Sequence, residues 1–171
     1  MKKFELTSEF ITNIFGTKLF RIKALIEFGN VKAGELGGFV EKEENLNHEG
    51  NAWVYGNAEV YGNARVCDDA RVYGDARVYG NAWVYGNARV CGDARVYGNA
   101  DYATVHGFGS EYRTTTFFKT KAGEIGVRCG CFYGNLSEFR KKVVETHGET
   151  KKAKEYLMLA DLMEFRFSDN S

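Results

Sequence analysis

The sequence predicts a mainly β protein whose centre is a parallel β-solenoid with a cap at each end. A six-residue repeat runs without interruption over residues 51–104, which makes nine hexads. The chain also has 20 glycines and no proline, a balance typical of many tight corners that need a left-handed backbone. Because a six-residue period does not match the 3.6 residues of an α-helical turn, the repeat indicates stacked short strands.

Residues 1–50 are predicted to form an N-terminal, β-rich cap. Residues 19–29 begin with alternating apolar and polar side chains, as a strand does, and Gly34, Gly37 and Gly38 mark turns. Residues 46–50 are interpreted as a degenerate hexad that leads into the repeat. Such a cap is expected because the end of a solenoid exposes a row of unpaired backbone groups.

Each hexad of residues 51–104 consists of a short strand and a corner. Alanine and valine lie two positions apart, as in Ala58 and Val60, so both point to the same side of the strand. The small alanine beside valine indicates a narrow triangular interior with three hexads in each coil. Residues 18 positions apart are therefore expected to lie one above the other.

This register predicts columns of outward side chains. The strand columns are Trp53, Arg71, Arg89; Glu59, Arg77, Arg95; and Arg65, Trp83, Asp101. The predicted binding surface consists of Trp53, Arg65, Arg71, Arg77, Trp83, Arg89, Arg95 and the corner tyrosines Tyr61, Tyr79 and Tyr97. Two columns place arginine against tryptophan, a pairing that favours cation–π contact. Cys67 and Cys91 fall on different corners and are expected to be unpaired.

Residues 105–171 are predicted to form a C-terminal module with a β-hairpin and two helices. Two β-rich runs flank a glycine-containing turn around Gly123, which is typical of a hairpin. The first helix is expected from Leu136 to about Thr146, with Asn135 or Ser137 as its N-cap and Gly148 as its stop. The second helix is expected over about residues 150–165.

The motif V-Y-G-N-A-R resembles the hexapeptide signature of the left-handed β-helix superfamily, and the likeness covers residues 51–104. The resemblance implies a left-handed coil, and parallel homotrimers are common among such proteins. Acyltransferases, carbonic anhydrases and structural units share this fold, so the likeness does not select a function. Residues 34–56 and the β-hairpin and helix ending are also similar to uncharacterised hexapeptide-repeat proteins of phages and prophages.

Composition and charge restrict the class of partner. Lysine plus arginine equals aspartate plus glutamate at 23 each, and no apolar run is long enough to span a membrane. The start of the chain has no apolar segment typical of a secretory signal, and the four cysteines are expected to be free thiols. We therefore expect a cytoplasmic protein, in a bacterial host cell if the phage likeness holds.

Residues 51–104 carry five arginines and six acidic residues, a net charge of −1. This balance argues against binding of duplex nucleic acid, which requires a basic surface. A small nucleotide stays open as a ligand because arginine and aromatic side chains suit phosphate binding and stacking.

His48 and His106 flank the repeat and are weak candidates for the general base of an acyltransferase. The hexads contain no inserted loop of the kind that such enzymes use around the acyl carrier, so a structural role in the caps is favoured. Cys129, Cys131 and His147 are weak candidates for a metal site, because a C-x-C pair without a second pair is a poor zinc signature. No cofactor is predicted.

The leading hypothesis is a non-catalytic binding or scaffold protein. Its expected partners are further copies of the same chain, in a homotrimer, and a host protein. The phage likeness extends this hypothesis to an accessory protein that inhibits a bacterial defence system. One alternative is a hexapeptide acyltransferase that uses an acyl-CoA or acyl-carrier donor. Another is a sponge for a nucleotide or signalling molecule, bound at subunit junctions by Arg71, Arg77, Arg89 or Arg95.

Overall fold

The computed structural model describes residues 1–168, so the last three residues of the predicted C-terminal module lie outside the described range. It confirms the predicted fold class, a mainly β protein with a central β-solenoid and two C-terminal helices. The division of the chain at residues 50 and 104 stays a prediction, as does the handedness of the coil.

Three strands precede the repeat. They are β1 (Phe4–Thr12), β2 (Lys18–Ala24) and β3 (Leu36–Val40). β1 and β2 form an antiparallel hairpin, and β2 also pairs antiparallel with β3. β2 accounts for the alternating run that predicted a strand after residue 19. β3 then pairs in parallel with the repeat, with Phe39 opposite Glu59, so the hairpin is joined to the solenoid through one continuous sheet.

Eight hexads form the two-residue strands of the solenoid. These strands are β4 to β11, in order Trp53–Val54, Glu59–Val60, Arg65–Val66, Arg71–Val72, Arg77–Val78, Trp83–Val84, Arg89–Val90 and Arg95–Val96. Their parallel pairing joins residues 18 positions apart, for example Trp53 with Arg71 and Arg71 with Arg89. The prediction of three hexads per coil is confirmed. Leu46, in the predicted degenerate hexad, also forms a parallel bridge with Val66.

The solenoid has three faces, each named here by two outward residues. β4, β7 and β10 form the Arg71–Arg89 face. β5, β8 and β11 form the Glu59–Arg77 face, whose sheet continues through β3, β2 and β1. β6 and β9 form the Arg65–Trp83 face.

The interior of the coil is the predicted column of alanine and valine. In all eight hexads these residues are no more than 1% exposed. Burial of each valine contributes about 1.5–3 kcal/mol of hydrophobic free energy relative to exposure, so the column is the main source of cohesion between coils. Most corners contain a glycine in the left-handed region, such as Gly80 with φ 64°.

The ninth hexad does not form a further strand of the solenoid. Asn99–Asp101 is a turn of 3-10 helix, and Tyr102 replaces the inward valine of the repeat. The tyrosine side chain is buried in the same core as the alanine and valine column, and its hydroxyl donates to the carbonyl of Trp83. The carboxylate of Asp101 accepts hydrogen bonds from the backbone nitrogens of Tyr97 and Gly98. The prediction that Asp101 stacks in the column of Trp83 is therefore wrong.

The C-terminal module has a four-stranded antiparallel sheet and two helices. Its elements are β12 (Tyr102–Phe108), β13 (Arg113–Lys119), β14 (Ile125–Cys129), β15 (Phe132–Asn135), α1 (Leu136–His147) and α2 (Lys151–Arg166). β13 and β14 are the predicted hairpin. Asn135 caps α1 by accepting from the Glu138 backbone nitrogen at 2.8 Å, and Gly148 follows the helix, both as predicted. The helices and the sheet share a core that includes Phe117, Phe139 and Tyr156.

β13 and the turn after it cover the last coil. The backbone nitrogen of Arg89 donates to Thr116 Oγ1 at 3.0 Å, and the backbone nitrogen of Lys121 donates to the carbonyl of Asp93 at 2.8 Å. These bonds satisfy backbone groups that the end of the solenoid would otherwise leave unpaired. Within residues 1–168, no helix has the length and apolar character needed to cross a membrane.

Candidate functional site

The structure distributes the predicted binding surface over three faces and one corner of the solenoid. Arg65 and Trp83 lie on one face, Arg77 and Arg95 on the second, and Arg71 and Arg89 on the third. Tyr61, Tyr79 and Tyr97 follow the corner between the Glu59–Arg77 and Arg65–Trp83 faces. A single ligand therefore does not contact all the predicted residues of one molecule, and each face has to be considered by itself.

Trp53 does not belong to any exposed surface. Its side chain points outward from the first coil, but the N-terminal segment covers it, and the residue is 0% exposed. The ring packs edge-on against Phe28, at 5.3 Å between centroids, and against Phe4 at 6.2 Å. The prediction of Trp53 as a binding residue is therefore wrong, because the N-terminal cap covers the first position of its column.

The Arg65–Trp83 face is open and aromatic. The guanidinium of Arg65 lies 5.5 Å from the centre of the Trp83 ring, which confirms the predicted arginine–tryptophan pairing on this face. Trp83 is 49% exposed, and Tyr85 and Tyr97 at the neighbouring corners are 55% and 63% exposed. Beside Arg65 and Trp83 lies a cleft of about 570 Å³, which Glu43, Glu44 and His48 also line.

The corner tyrosines form the predicted column. The rings of Tyr61 and Tyr79 are stacked at 5.2 Å between centroids, and the ring of Tyr97 meets Tyr79 edge-on at 5.3 Å. Burial in this column raises the pKa of Tyr61 above its usual value. The tyrosines are therefore held by one another, and Tyr97 offers the most accessible ring of the three.

Arg77 and Arg95 are engaged within the protein. The Nε of Arg77 lies 2.8 Å from a carboxylate oxygen of Glu59, and Nη1 of Arg95 donates to the carbonyls of Asp75 and Ala94, both at 2.9 Å. These contacts stabilise the outside of the Glu59–Arg77 face. They leave these arginines less available to a partner than those on the other two faces.

The Arg71–Arg89 face borders two cavities that share a wall of arginine. Arg71, Arg89, Arg128, Tyr55 and Tyr73 line a cavity of about 320 Å³. A second cavity of about 550 Å³ lies on the side of the C-terminal module. Its lining residues are Asn87, Arg89, His106, Arg113, Thr114, Arg128, Gly130 and Cys131. Arg89 and Arg128 belong to both cavities.

Arg128 is brought to this face by β14 of the C-terminal module. Its guanidinium lies 5.7 Å from the centre of the Tyr73 ring, at the corner of the second coil. Burial raises the pKa of Tyr73 to about 12, and the positive charges of Arg128 and Arg89 oppose this rise. Arg113 reaches the larger cavity by passing over Gly130. A β-carbon on residue 130 would overlap the Arg113 guanidinium.

His48 is packed between the N-terminal cap and the first coil. Its Nδ1 accepts from the backbone nitrogen of Lys3 at 3.0 Å, its Nε2 lies 2.7 Å from the carboxylate of Glu43, and its ring stacks on Phe4. Both ring nitrogens therefore have partners within the protein. This arrangement favours a structural role for His48 and leaves it no free nitrogen to act as a general base.

His106 has a different environment. It lies exposed on β12, its Nδ1 is 3.0 Å from Thr114 Oγ1, and it lines the larger arginine cavity. It is not buried beneath the C-terminal cap. Its neighbours are cationic side chains, which distinguishes it from the packed His48.

The weak metal candidates do not form a ligand cluster. Cys129 ends β14, whereas Cys131 lies in the turn before β15, so the two thiols do not share one face of a strand. Cys129 Sγ accepts from Thr115 Oγ1 at 3.2 Å. His147 ends α1 and stacks on Tyr156. Among residues 1–168, no group of three histidine, cysteine, aspartate or glutamate side chains is arranged to hold a metal ion.

The thiols are free, as predicted. Cys67, Cys91, Cys129 and Cys131 form no disulfide. Burial raises the pKa of the Cys91 thiol, which favours its protonated form, and the same effect acts on the less buried Cys67. The two cysteines of the repeat thus behave as small apolar corner residues.

Sequence reasoning missed three exposed or cavity-lining residues. Tyr85 follows from the corner column, and it is 55% exposed. Arg113 and Arg128 reach the solenoid only because the C-terminal sheet packs on the last coil. No pattern in the sequence relates residue 128 to residue 73, so only the folded chain brings these arginines to Arg89.

The repeat is similar to a known protein family. The chain matches the YdcK beta solenoid repeat over residues 70–86 and 88–100. Both matched segments lie within the solenoid and the turn that ends it, and neither reaches the N-terminal cap or the C-terminal helices. The chain therefore carries a β-solenoid repeat. No curated protein matches the chain.

Proposed function

We propose that this chain is a non-catalytic binding or scaffold protein whose Arg65–Trp83 face makes the protein contact. The observation that carries the proposal is the exposure of the Trp83 side chain, which is 49% exposed. Within residues 1–168, β6 and β9 pair as strands only with each other, apart from the bridge of Leu46. Asn99 and Tyr102 form hydrogen bonds with the backbone of Trp83 but leave its ring exposed. A β-solenoid repeat supports such a role, since its flat faces are rigid.

The chemistry of this face suits a protein partner. Tryptophan, tyrosine and arginine are the residues that contribute most to binding at protein interfaces. Arg65 and Trp83 are already held against each other, so less side-chain freedom would be lost on binding. The cleft beside them adds the carboxylates of Glu43 and Glu44, which would receive a basic side chain of a partner.

One form of the proposal is self-association, because the resemblance of the repeat implies a parallel homotrimer. Light scattering after gel filtration measures the mass directly. A trimer has three times the 19.2 kDa mass of the chain, and Trp83→Ala should return it to the monomer. Phe165→Ala is the matched control, since Phe165 is 78% exposed on α2, away from the solenoid.

The second form is binding of a host protein by a cytoplasmic phage accessory protein, which rests on the phage likeness of the flanking segments. Affinity purification from the host would compare wild type, Trp83→Ala and Phe165→Ala. We expect a partner that is retained by Phe165→Ala and lost with Trp83→Ala. A wild-type protein that stays monomeric and retains no partner dependent on Trp83 would contradict the proposal.

A further inference from the structure

We propose that the Arg71–Arg89 face binds a small phosphorylated molecule, in a site that the repeat and the C-terminal module build together. The site is separate from the Arg65–Trp83 face, so the inference goes beyond the proposed protein contact. Its centre is the pair Arg89 and Arg128, which line both arginine cavities. Arg71 and Arg113 extend the site in opposite directions.

The first argument is uncompensated positive charge. Four arginines line the two cavities, and no aspartate or glutamate of residues 1–168 does. Within the described part of the chain, none of the four has a carboxylate within ion-pair distance, whereas Arg21, Arg77 and Arg140 all do. Because like charges repel, four unpaired guanidinium groups are expected to attract an anion from solution.

The second argument is an unused donor. Nε of Arg128 is buried, and among residues 1–168 it has no hydrogen-bond partner. A buried N–H without an acceptor is unfavourable, so a movement of the Arg128 side chain that brings its Nε to a ligand oxygen would be favourable. Guanidinium groups match phosphate oxygens in bidentate geometry, which makes phosphate the anion that fits best.

The third argument is the aromatic side of the smaller cavity. The half-buried rings of Tyr55 and Tyr73 lie there beside Arg71, with their centroids 6.4 Å apart. A molecule whose phosphates contact Arg89 and Arg128 can therefore place a second, planar group against tyrosine. Cavities of about 320 and 550 Å³ suit a nucleotide-sized ligand. A duplex would instead need an extended basic surface.

His106 adds an imidazole group to the site. It lines the larger cavity with Arg89 and Arg113, and Thr114 holds its Nδ1 side. An imidazole can donate one N–H to a phosphate oxygen, which would add to the donors that the arginines supply.

Calorimetry with ADP, inorganic pyrophosphate and adenosine tests the proposal on the full chain. We expect ADP and pyrophosphate to bind and adenosine to give no heat. The ratio of the affinity for ADP to the affinity for pyrophosphate measures the contribution of the adenosine group. Binding should weaken with added salt. A result in which neither anion binds at millimolar concentration, or in which a single-stranded oligonucleotide binds and they do not, would overturn the proposal.

Substitutions locate the binding. Arg89→Gln and Arg128→Gln should each weaken ADP binding at least tenfold, as expected for the loss of a charged hydrogen bond. Arg95→Gln is the matched control, because Arg95 occupies the same hexad position on the neighbouring face, and its affinity should stay within about twofold of wild type. Unfolding midpoints verify that each variant is folded. Equal affinities in all three variants would refute the site.

Discussion

At the scale of single residues, Lys3 is the most unusual side chain of the N-terminal cap. It is 1% exposed, and its ammonium donates to the carbonyls of Gly50 and Ala52 at 3.4 and 2.8 Å. The nitrogen also lies 4.6 Å from the centre of the Phe28 ring. Burial lowers the pKa of Lys3 from 10.5 to about 8, and the nearby negative charge of Asp69 limits this fall.

This lowered pKa gives a prediction for pH dependence. Because the unfolded chain binds a proton on Lys3 more readily than the folded protein does, the free energy of unfolding should rise between pH 8 and 10.5. The rise attributable to Lys3 is up to about 3 kcal/mol. Urea unfolding of wild type and Lys3→Met at several pH values measures this rise as the difference between the two proteins. The comparison is needed because the Cys91 thiol titrates in both. Parallel curves would contradict the prediction.

Asp68 is the corner residue that departs from glycine in the repeat. Its φ of 59° lies in the left-handed region, and its Oδ2 accepts from the backbone nitrogen of Gly86 at 2.9 Å. Gly86 lies 18 positions later at the same corner, so the bond joins two coils. The carboxylate thus offsets the strain that a β-carbon introduces at this position.

Substitution of Asp68 separates these two effects. Asp68→Ala keeps the strain and loses the bond, so the free energy of unfolding should fall by about 1–2 kcal/mol. Asp68→Asn tolerates the left-handed backbone and retains an acceptor, and should stay within about 0.5 kcal/mol of wild type. Chemical denaturation measures both. An alanine variant as stable as the asparagine variant would show that the corner bond contributes nothing.

At the scale of elements, the N-terminal hairpin is joined to the solenoid by β3 and by the aromatic cluster around Trp53. The same residue type at the same hexad position is 0% exposed at Trp53 and 49% exposed at Trp83. From the repeat alone, the two tryptophans are expected to be equally exposed. Their difference arises from the segment that folds over the first one.

The two tryptophans therefore form a matched pair for mutation. Trp53→Ala should lower the free energy of unfolding by about 3–5 kcal/mol, because it leaves a cavity beneath the hairpin. Trp83→Ala should cost about 1 kcal/mol, mainly the lost contact with Arg65. Limited proteolysis would show early cleavage in residues 1–35 of the first variant only. Equal losses would mean that the hairpin does not depend on Trp53.

The elements also show how far sequence reasoning extends. The eight strands, the hairpin of β13 and β14, and both helices follow from local patterns of alanine, valine, glycine and capping residues. β12 was not predicted, because the sequence of residues 99–104 continues the hexad pattern. Tyr102 stands at the position that valine holds in the other hexads. β15 was missed because Phe132–Asn135 has four residues and no clear alternation.

At the scale of the whole molecule, the functional surfaces depend on contacts between distant segments. The net charge of −1 in the repeat gave no sign of the arginine site. The acidic residues of the repeat are mostly at its corners, and two of the four cavity arginines come from the C-terminal module. The contacts of Arg128 with Tyr73 and of Thr116 with Arg89 follow from how the module docks. Such docking is not encoded in any local period.

The 18-residue coil also predicts which deletions the molecule tolerates. Removal of residues 63–80 joins two corners of the same kind and keeps every remaining hexad on its face. We expect this variant to unfold cooperatively, with a lower free energy of unfolding. Removal of residues 63–71, half as long, places corner residues where valine and alanine belong. It should fail to fold, as circular dichroism and urea titration would show. Folding of the shorter deletion alone would refute the register.

Because residues 18 positions apart pair in parallel, the length of the solenoid can change only by whole coils. Each coil adds about 4.8 Å along the axis and repeats the same three outward positions. Descendants of this sequence could therefore change the distance between their two caps in fixed steps, by duplication or loss of one coil, without re-evolving either cap. The distance between the two caps, and between any molecules that they bind, is then set by the number of coils that the gene encodes.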